Sequence, residues 1–252
     1  RAPDLGWCDA ARRLELAASG IEGLWMHLHA AAGRRLFARH GWSLLWGQPR
    51  SRDPLELVHG PTAFQQLIPA LYRQALEAAE DFLAPQPGDS VADLYCGIGA
   101  SLIRWTGHGA RALGVELSGE AVECAGLNAP AATVLRGKCA DRVPQLRVWT
   151  PDTGARLLYV NPPRPGLEPA VLAWAATEFR PERLAYLSCS AGTLGRDLRA
   201  LAEAGYAVER LIPFDFFPQT HHVETLALLR KAPGGGVHAP SAPVDLAGVD
   251  LQ

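Results

Sequence analysis

Asp93-Leu94-Tyr95-Cys96-Gly97-Ile98-Gly99-Ala100-Ser101 joins an apolar run at 91–95 to a stretch that reads as a helix. Two glycines in such a strand-to-helix turn let the backbone come close to a ligand, which is where α/β proteins hold nucleotide-type cofactors. A dinucleotide fingerprint would want a third small residue at position 102, but Leu102 stands there. Nothing at this helix start therefore asks for a pyrophosphate.

Downstream the text alternates short apolar runs with helical stretches, and residues 112–116, 157–160, 184–188 and 225–229 read as further strands. That alternation predicts a Rossmann-like α/β fold, a doubly wound and mostly parallel sheet with ligands beyond the carboxyl ends of its strands. Upstream, Phe64, Leu67, Ile68, Leu71, Tyr72, Ala75, Leu76, Ala79 and Phe82 recur at helical spacing, which predicts a helix over 61–83 that Pro85-Gln86-Pro87-Gly88 ends. The second strand closes on Gly114-Val115-Glu116, and an acidic side chain there can accept hydrogen bonds from both hydroxyls of a ribose. S-adenosylmethionine, an adenosine cofactor with no phosphate, suits this variant. Asp93, Tyr95, Gly97, Gly99 and Glu116 are its candidate contacts.

At 252 residues, with hydrophobic residues at 48% and charged ones at 20%, the chain can bury one large core or a main domain plus an appendage. Neither a membrane-length apolar run nor a secretory leader is read from it, so the cytoplasm is the expected location. The formal net charge of −2 lacks the surplus of a protein that coats nucleic acid, so any RNA contact would be local. Residues 1–52 do hold eight Arg against four acidic residues, including Arg34, Arg35, Arg39, Arg50 and Arg52. They could track phosphates or simply be solvated helix faces. Turn formers at 47–54 suggest a division into a small piece over 1–55, a main domain over 56–231 and a Gly- and Pro-rich tail over 232–252 expected to be disordered. A monomer is expected.

Three clusters could carry chemistry. Asn161-Pro162-Pro163-Arg164-Pro165-Gly166-Leu167 follows the third strand as a stiff turn, presenting an amide suited to the edge of a nucleobase and a guanidinium. The next strand runs into Cys189 at the start of a helix, where the terminus favours a thiolate. Cys189 is the candidate nucleophile. Cys8, Cys96, Cys124 and Cys139 lack that setting, and no Cys-x-x-Cys pair suggests a disulfide scaffold or a zinc ribbon. Phe214-Asp-Phe-Phe-Pro-Gln-Thr-His-His-Val-Glu224 precedes the last strand. Adjacent His221 and His222 point to opposite faces of an extended chain, so no metal site is expected, and Glu224 is the candidate proton acceptor. Phe214, Phe216 and Phe217 are either core or a surface for an extruded base.

Taken in order, these motifs resemble the RNA uracil-C5 methyltransferase family over about residues 60–231. The resemblance is carried by Phe64-Gln65, Asp93-Leu-Tyr-Cys-Gly-Ile-Gly99, Gly114-Val-Glu116, Pro162-Pro-Arg164, Ser188-Cys189, Thr193-Leu, Arg196-Asp-Leu198, Phe217-Pro-Gln-Thr and His222-Val-Glu224. It implies a class I S-adenosylmethionine-dependent methyltransferase fold, an RNA substrate, Gln65, the Gly97 turn, Glu116 and Asn161 as cofactor contacts, Cys189 as nucleophile and Glu224 as base. Most members have Asp where this chain has Asn161. Asn is similar to the branch acting on 23S rRNA, which makes rRNA the first expected substrate and tRNA the second. Ser190 and Leu67 each stand where the family commonly has Asn. Many members also carry an N-terminal Cys-rich iron–sulfur segment, whereas residues 1–59 contain only Cys8, so no cluster is expected in this chain.

Overall fold

The computed structural model describes residues 9–28, 41–150, 153–220 and 222–232. Cys8, Arg34, Arg35, Arg39, His221 and the tail from 233 onward lie outside them.

Helix α1 (Ala10–Ala18) starts at Asp9, whose side chain accepts a hydrogen bond from Arg12 N. Strands β1 (Gly23–His27) and β2 (Trp42–Gly47) pair as an antiparallel ribbon, with the His27 and Trp42 rings stacked 4.2 Å apart. A second short ribbon pairs β3 (Ser51–Arg52) with β4 (Val58–His59), bridging the stretch of turn formers. Arg50, just before β3, and Val58, within β4, make long-range polar contacts with Glu120 and Asn128.

Helix α2 (Pro69–Leu83) is shorter than the helix expected over 61–83. Pro69 supplies the first turn, and its ring excludes helical backbone from the residue before it: Ile68 sits at φ −120°, ψ 88°. Phe64 and Leu67, read as part of the apolar face, are 72% and 71% exposed instead. From there the alternation is as expected: β5 (Ser90–Leu94), α3 (Ala100–Gly107), β6 (Arg111–Glu116), α4 (Gly119–Asn128), β7 (Thr133–Arg136), α5 (Cys139–Trp149), β8 (Arg156–Val160), α6 (Pro169–Trp174), a π-turn over Ala175–Phe179, β9 (Arg183–Ser188), α7 (Ala191–Glu203), β10 (Tyr206–Phe214) and β11 (Glu224–Lys231).

These form one seven-stranded sheet in the order β10-β11-β9-β8-β5-β6-β7. The five strands from β7 to β9 are parallel, while β11 runs antiparallel to both β9 and β10. The strand order reverses between β5 and β8, and at such a point the crossover helices leave on opposite faces and open a crevice at the carboxyl ends. β7 and β10 were not anticipated. Both are edge strands with mostly unburied side chains, and β10 carries Glu209, Arg210 and Pro213, which mask any apolar alternation. The central strands are buried on both faces: Leu94 and Tyr186 pack toward α5, α6 and α7, whereas Val91, Tyr159 and Leu187 pack toward α2 and α3.

Gly114 shows how tightly β6 meets α3. A Cβ there would lie 2.7 Å from Cys96 Sγ and 2.8 Å from Leu102 Cδ1. Both atoms are buried, so Gly114→Ala should cost about 1–3 kcal/mol through overpacking, read as a lowered melting temperature.

Candidate active site

The carboxyl ends of β5, β6, β8 and β9 deliver Tyr95, Glu116, Asn161 and Cys189 to one edge of the sheet. Antiparallel β11 delivers Glu224 there from its amino end. Ser188 pairs with Thr225, and the same register carried one step further sets Cys189 opposite Glu224. Side chains opposite each other on antiparallel strands have Cβ atoms about 5 Å apart. These residues open into a cavity of about 660 Å³, a size that suits a small-molecule ligand, whose walls include Leu57, Gln65, Gly97, Arg164, Phe217 and His222.

At one end lies the glycine turn. Gly97 has φ +55°, and a Cβ built on it meets no protein atom within 4 Å, so the turn faces open space. Glu116 braces it, accepting from Gly97 N at 3.1 Å and from Ser118 N at 2.7 Å, with lone pairs left for further donors. Tyr95 is held in left-handed backbone at φ +62°, a strain that a non-glycine residue keeps only where its surroundings enforce it. Its hydroxyl turns to Glu168 Oε2 at 3.5 Å. Asp93 and Gly99 were expected as cofactor contacts, but neither lines the cavity. Asp93 lies fully buried below the turn and accepts from Trp105 Nε1 at 2.7 Å; burial pushes its carboxyl up to about 7 against the pull of Ser101 and Trp105. Gly99, at φ +85°, packs where a Cβ would come within 3.1 Å of Ala125.

The outer wall is residues 53–66. Arg50 grips α4 through Glu120 at 2.7 and 3.1 Å and also bonds Glu123. Asn128 of α4 receives Val58 N at 2.8 Å and donates to Val58 O and Ile98 O, both at 2.9 Å. This staple holds Gln65 and Gln66 over the cavity, where Gln65 Nε2 and Gln66 Oε1 are buried without a hydrogen-bond partner. Such orphaned groups are costly and point to a polar ligand.

At the other end, Glu224 is 4% exposed and its Oε2 has no partner; burial pushes the carboxyl up to about 7, partly offset by Arg164. The Cys189 thiol is pushed up by burial and by the charge of Glu224, and pulled down by its own backbone amide and by Arg164. The helix start was expected to favour the thiolate. Desolvation outweighs it here, because α7 begins only at Ala191 and Cys189 is half-buried beside a carboxylate.

The Arg164 guanidinium lies 3.3 Å from His222 Nε2. Its loop is anchored on α7: Thr193 Oγ1 donates to Arg164 O at 3.0 Å, Arg196 to Pro165 O at 2.9 Å, and Leu167 N to the buried Asp197 at 2.8 Å. Of the aromatics proposed to meet an extruded base, Phe214 and Phe216 are core, stacked 5.9 Å apart, and only Phe217 reaches the cavity. Gln66 was not singled out in the sequence, and Tyr72 and Asp197 were read there only as part of a helix face and of the Arg196-Asp-Leu198 motif, not as groups at or beside the cavity.

Residues 151–232 match the model of the family described as tRNA (uracil-5-)-methyltransferase. An uncharacterized RNA methyltransferase of Lactobacillus johnsonii is 34% identical over 201 residues, covering 75% of this chain and 43% of that protein. The 23S rRNA (uracil(1939)-C(5))-methyltransferase RlmD of Photobacterium profundum is 33% identical over 216 residues, covering 78% and 45%. Over these residues the chain is similar to the RNA uracil-C5 methyltransferase family. It spans less than half the length of these relatives. The family's fold is seen in the Pyrococcus abyssi tRNA (uracil-54, C5)-methyltransferase solved in complex with S-adenosyl-L-homocysteine. That structure has a TM-score of 0.65 and 21% identity, covering 91% of this chain and 53% of the other. The match assigns the present sheet to the Rossmann-like class I methyltransferase fold. Among the described residues, no helix is long and apolar enough to cross a membrane, and no group of three or more His, Cys, Asp or Glu could hold a metal ion.

Proposed function

We propose that this chain methylates carbon 5 of a uracil in RNA, with S-adenosylmethionine as methyl donor and Cys189 forming a transient bond to the ring. The observation that carries this reading is a single cavity with a braced glycine turn at one end and a thiol opposite a buried, unpartnered carboxyl at the other.

The donor fits the residues present. Gly97 faces open space, the Gln65 and Gln66 side chains have orphaned polar atoms, and Glu116 has lone pairs to spare for ribose hydroxyls. Leu57, Pro54 and Ala121 supply apolar wall for an adenine. S-adenosylmethionine bound there supplies an electrophilic methyl group.

Carbon 5 of uracil is a poor nucleophile, so electrons must first be pushed into the ring. The Cys189 thiolate does this by bonding to carbon 6, which moves the ring's double-bond electrons toward carbon 5 and oxygen 4. Arg164 and Asn161 orient the ring and stabilise the charge on oxygen 4. Once carbon 5 carries the methyl group as well as its proton, Glu224 takes the proton. The released electron pair restores the ring double bond and expels Cys189 as thiolate. A carboxyl held at about 7 is matched to that task near neutrality.

The favoured substrate is 23S rRNA, on the strength of Asn161 and of the relative named for that activity. tRNA is the second reading, favoured by the family's description. Incubating the chain with S-adenosylmethionine and unmodified 23S rRNA or tRNA transcripts, followed by nucleoside mass spectrometry, tests both. The expected product is 5-methyluridine, chiefly in the rRNA. A methyl group found on an exocyclic nitrogen would contradict the assignment.

A further inference from the structure

Asp197 lies on α7 and takes no part in the steps above, yet its carboxylate is completely buried and every partner it has is a donor. Oδ2 accepts from Leu167 N at 2.8 Å and from the Tyr186 hydroxyl at 2.8 Å. Oδ1 accepts from Arg196 at 2.9 and 2.7 Å, and Arg196 reaches on to Pro165 O. A burial this complete is tolerable for a carboxylate only when both oxygens are satisfied and its charge is paired.

What these bonds hold is the loop that presents Arg164. Gly166 is pressed so closely on the clasp that a Cβ there would lie 2.5 Å from Asp197 Oδ2 and 2.7 Å from Arg196, and its φ of +80° already demands glycine. Thr193 adds a bond from α7 to the carbonyl of Arg164 itself. The same helix begins two residues after Cys189, so a short, rigid path joins the thiol to the guanidinium beside it. We propose that Asp197 is a positioning residue which, with Thr193, fixes the Arg164 loop relative to Cys189 and Glu224 and so sets the reactivity of the thiol. The inference rests on the uracil-methylating role proposed above.

The consequence follows from charge. Arg164 draws both the Cys189 thiol and the Glu224 carboxyl down. Of the charged groups facing Cys189, Glu224 opposes ionisation and Arg164 favours it more weakly, so a loosened loop leaves Glu224 still less opposed.

Asp197→Asn keeps the shape but must point an amide N–H₂ at either Leu167 N or Arg196, both donors. Thr193→Val removes the hydroxyl's bonds to Arg164 O and Ser190 O at the rim and leaves the buried clasp whole. The experiment measures the rate at which each protein forms a covalent adduct with 5-fluorouridine-substituted rRNA in the presence of S-adenosylmethionine, across pH. Melting temperature and S-adenosylhomocysteine affinity are followed alongside.

Asp197→Asn should slow adduct formation by about 10- to 100-fold and Thr193→Val by about 2- to 10-fold. In both, the inflection of the pH profile should move upward while affinity for S-adenosylhomocysteine stays within about twofold. Loss of melting temperature with the pH inflection unmoved would overturn the proposal, leaving Asp197 a purely structural role. If Asp197→Asn does not fold, Thr193→Val decides by the same two readouts. Wild-type protein that binds the cofactor product but forms no adduct would overturn the methyltransferase reading and this inference together. A normal wild-type adduct with unmoved variants would overturn this inference alone.

Discussion

Cys189→Ser is expected to abolish uracil methylation, by about 10⁴-fold or more, while leaving the fold and the cofactor site intact. The side chain sits half-buried at the end of β9, and replacing sulfur by oxygen changes its volume little. A serine hydroxyl cannot supply the anion in a site where burial and Glu224 already push even the thiol upward. The same substitution separates this chemistry from methylation of an exocyclic amine, which needs no thiol and would survive it. The check is 5-methyluridine by nucleoside mass spectrometry, with S-adenosylhomocysteine binding as the control. Because the wild-type thiol is pushed up, its activity should also rise with pH through the alkaline side of neutrality.

Glu224→Gln should have two effects of opposite value. Without a base, carbon 5 keeps its proton after methylation, so turnover falls by about 10²- to 10⁴-fold and the Cys189–RNA bond persists, visible on a denaturing gel with ordinary uridine. The variant should also be more stable than wild type. Burial raises the Glu224 carboxyl from 4.5 to about 7, so between those values the folded protein keeps a proton that the unfolded chain has released. Wild type therefore loses stability as pH rises through that window, and glutamine does not. The difference should be about 2 kcal/mol in favour of Glu224→Gln near pH 8 and should vanish near pH 4, read by denaturant unfolding at both. A buried, unpartnered carboxyl is thus a cost to the fold that only its chemistry explains.

Much of this was legible in the sequence because the central strands are buried on both faces and read as unbroken apolar runs. The turn at Gly97, Glu116, the Asn161 loop and Cys189 all follow directly on such runs, so predicting the strands also predicted which side chains meet. The edge strands were less visible. β10 exposes most of its length, and its Glu209–Arg230 pair at 2.6 Å belongs to a solvated edge rather than to a periodic core. Phe214 and Phe216 read first as core and second as a surface for a base, and their burial in the cluster that packs against α2 bears out the first reading. Pro69 ended the helical reading of Phe64 and Leu67 through a local rule that the apolar spacing obscured. Arg196-Asp-Leu198 stood out as a motif, but the role of Asp197 was out of reach for a different reason: its partners lie on other elements, as in the bond from Leu167, and no local pattern encodes such a contact.

The central claim is that Cys189 attacks uracil. Intact-protein and peptide mass spectrometry of the chain incubated with S-adenosylmethionine and 5-fluorouridine-substituted 23S rRNA fragments tests it most directly, since fluorine at carbon 5 blocks the final elimination. A stable methylated nucleotide adduct mapped to the Cys189 peptide is the expected result; protein that binds S-adenosylmethionine yet carries no adduct, or carries it on another residue, would contradict it.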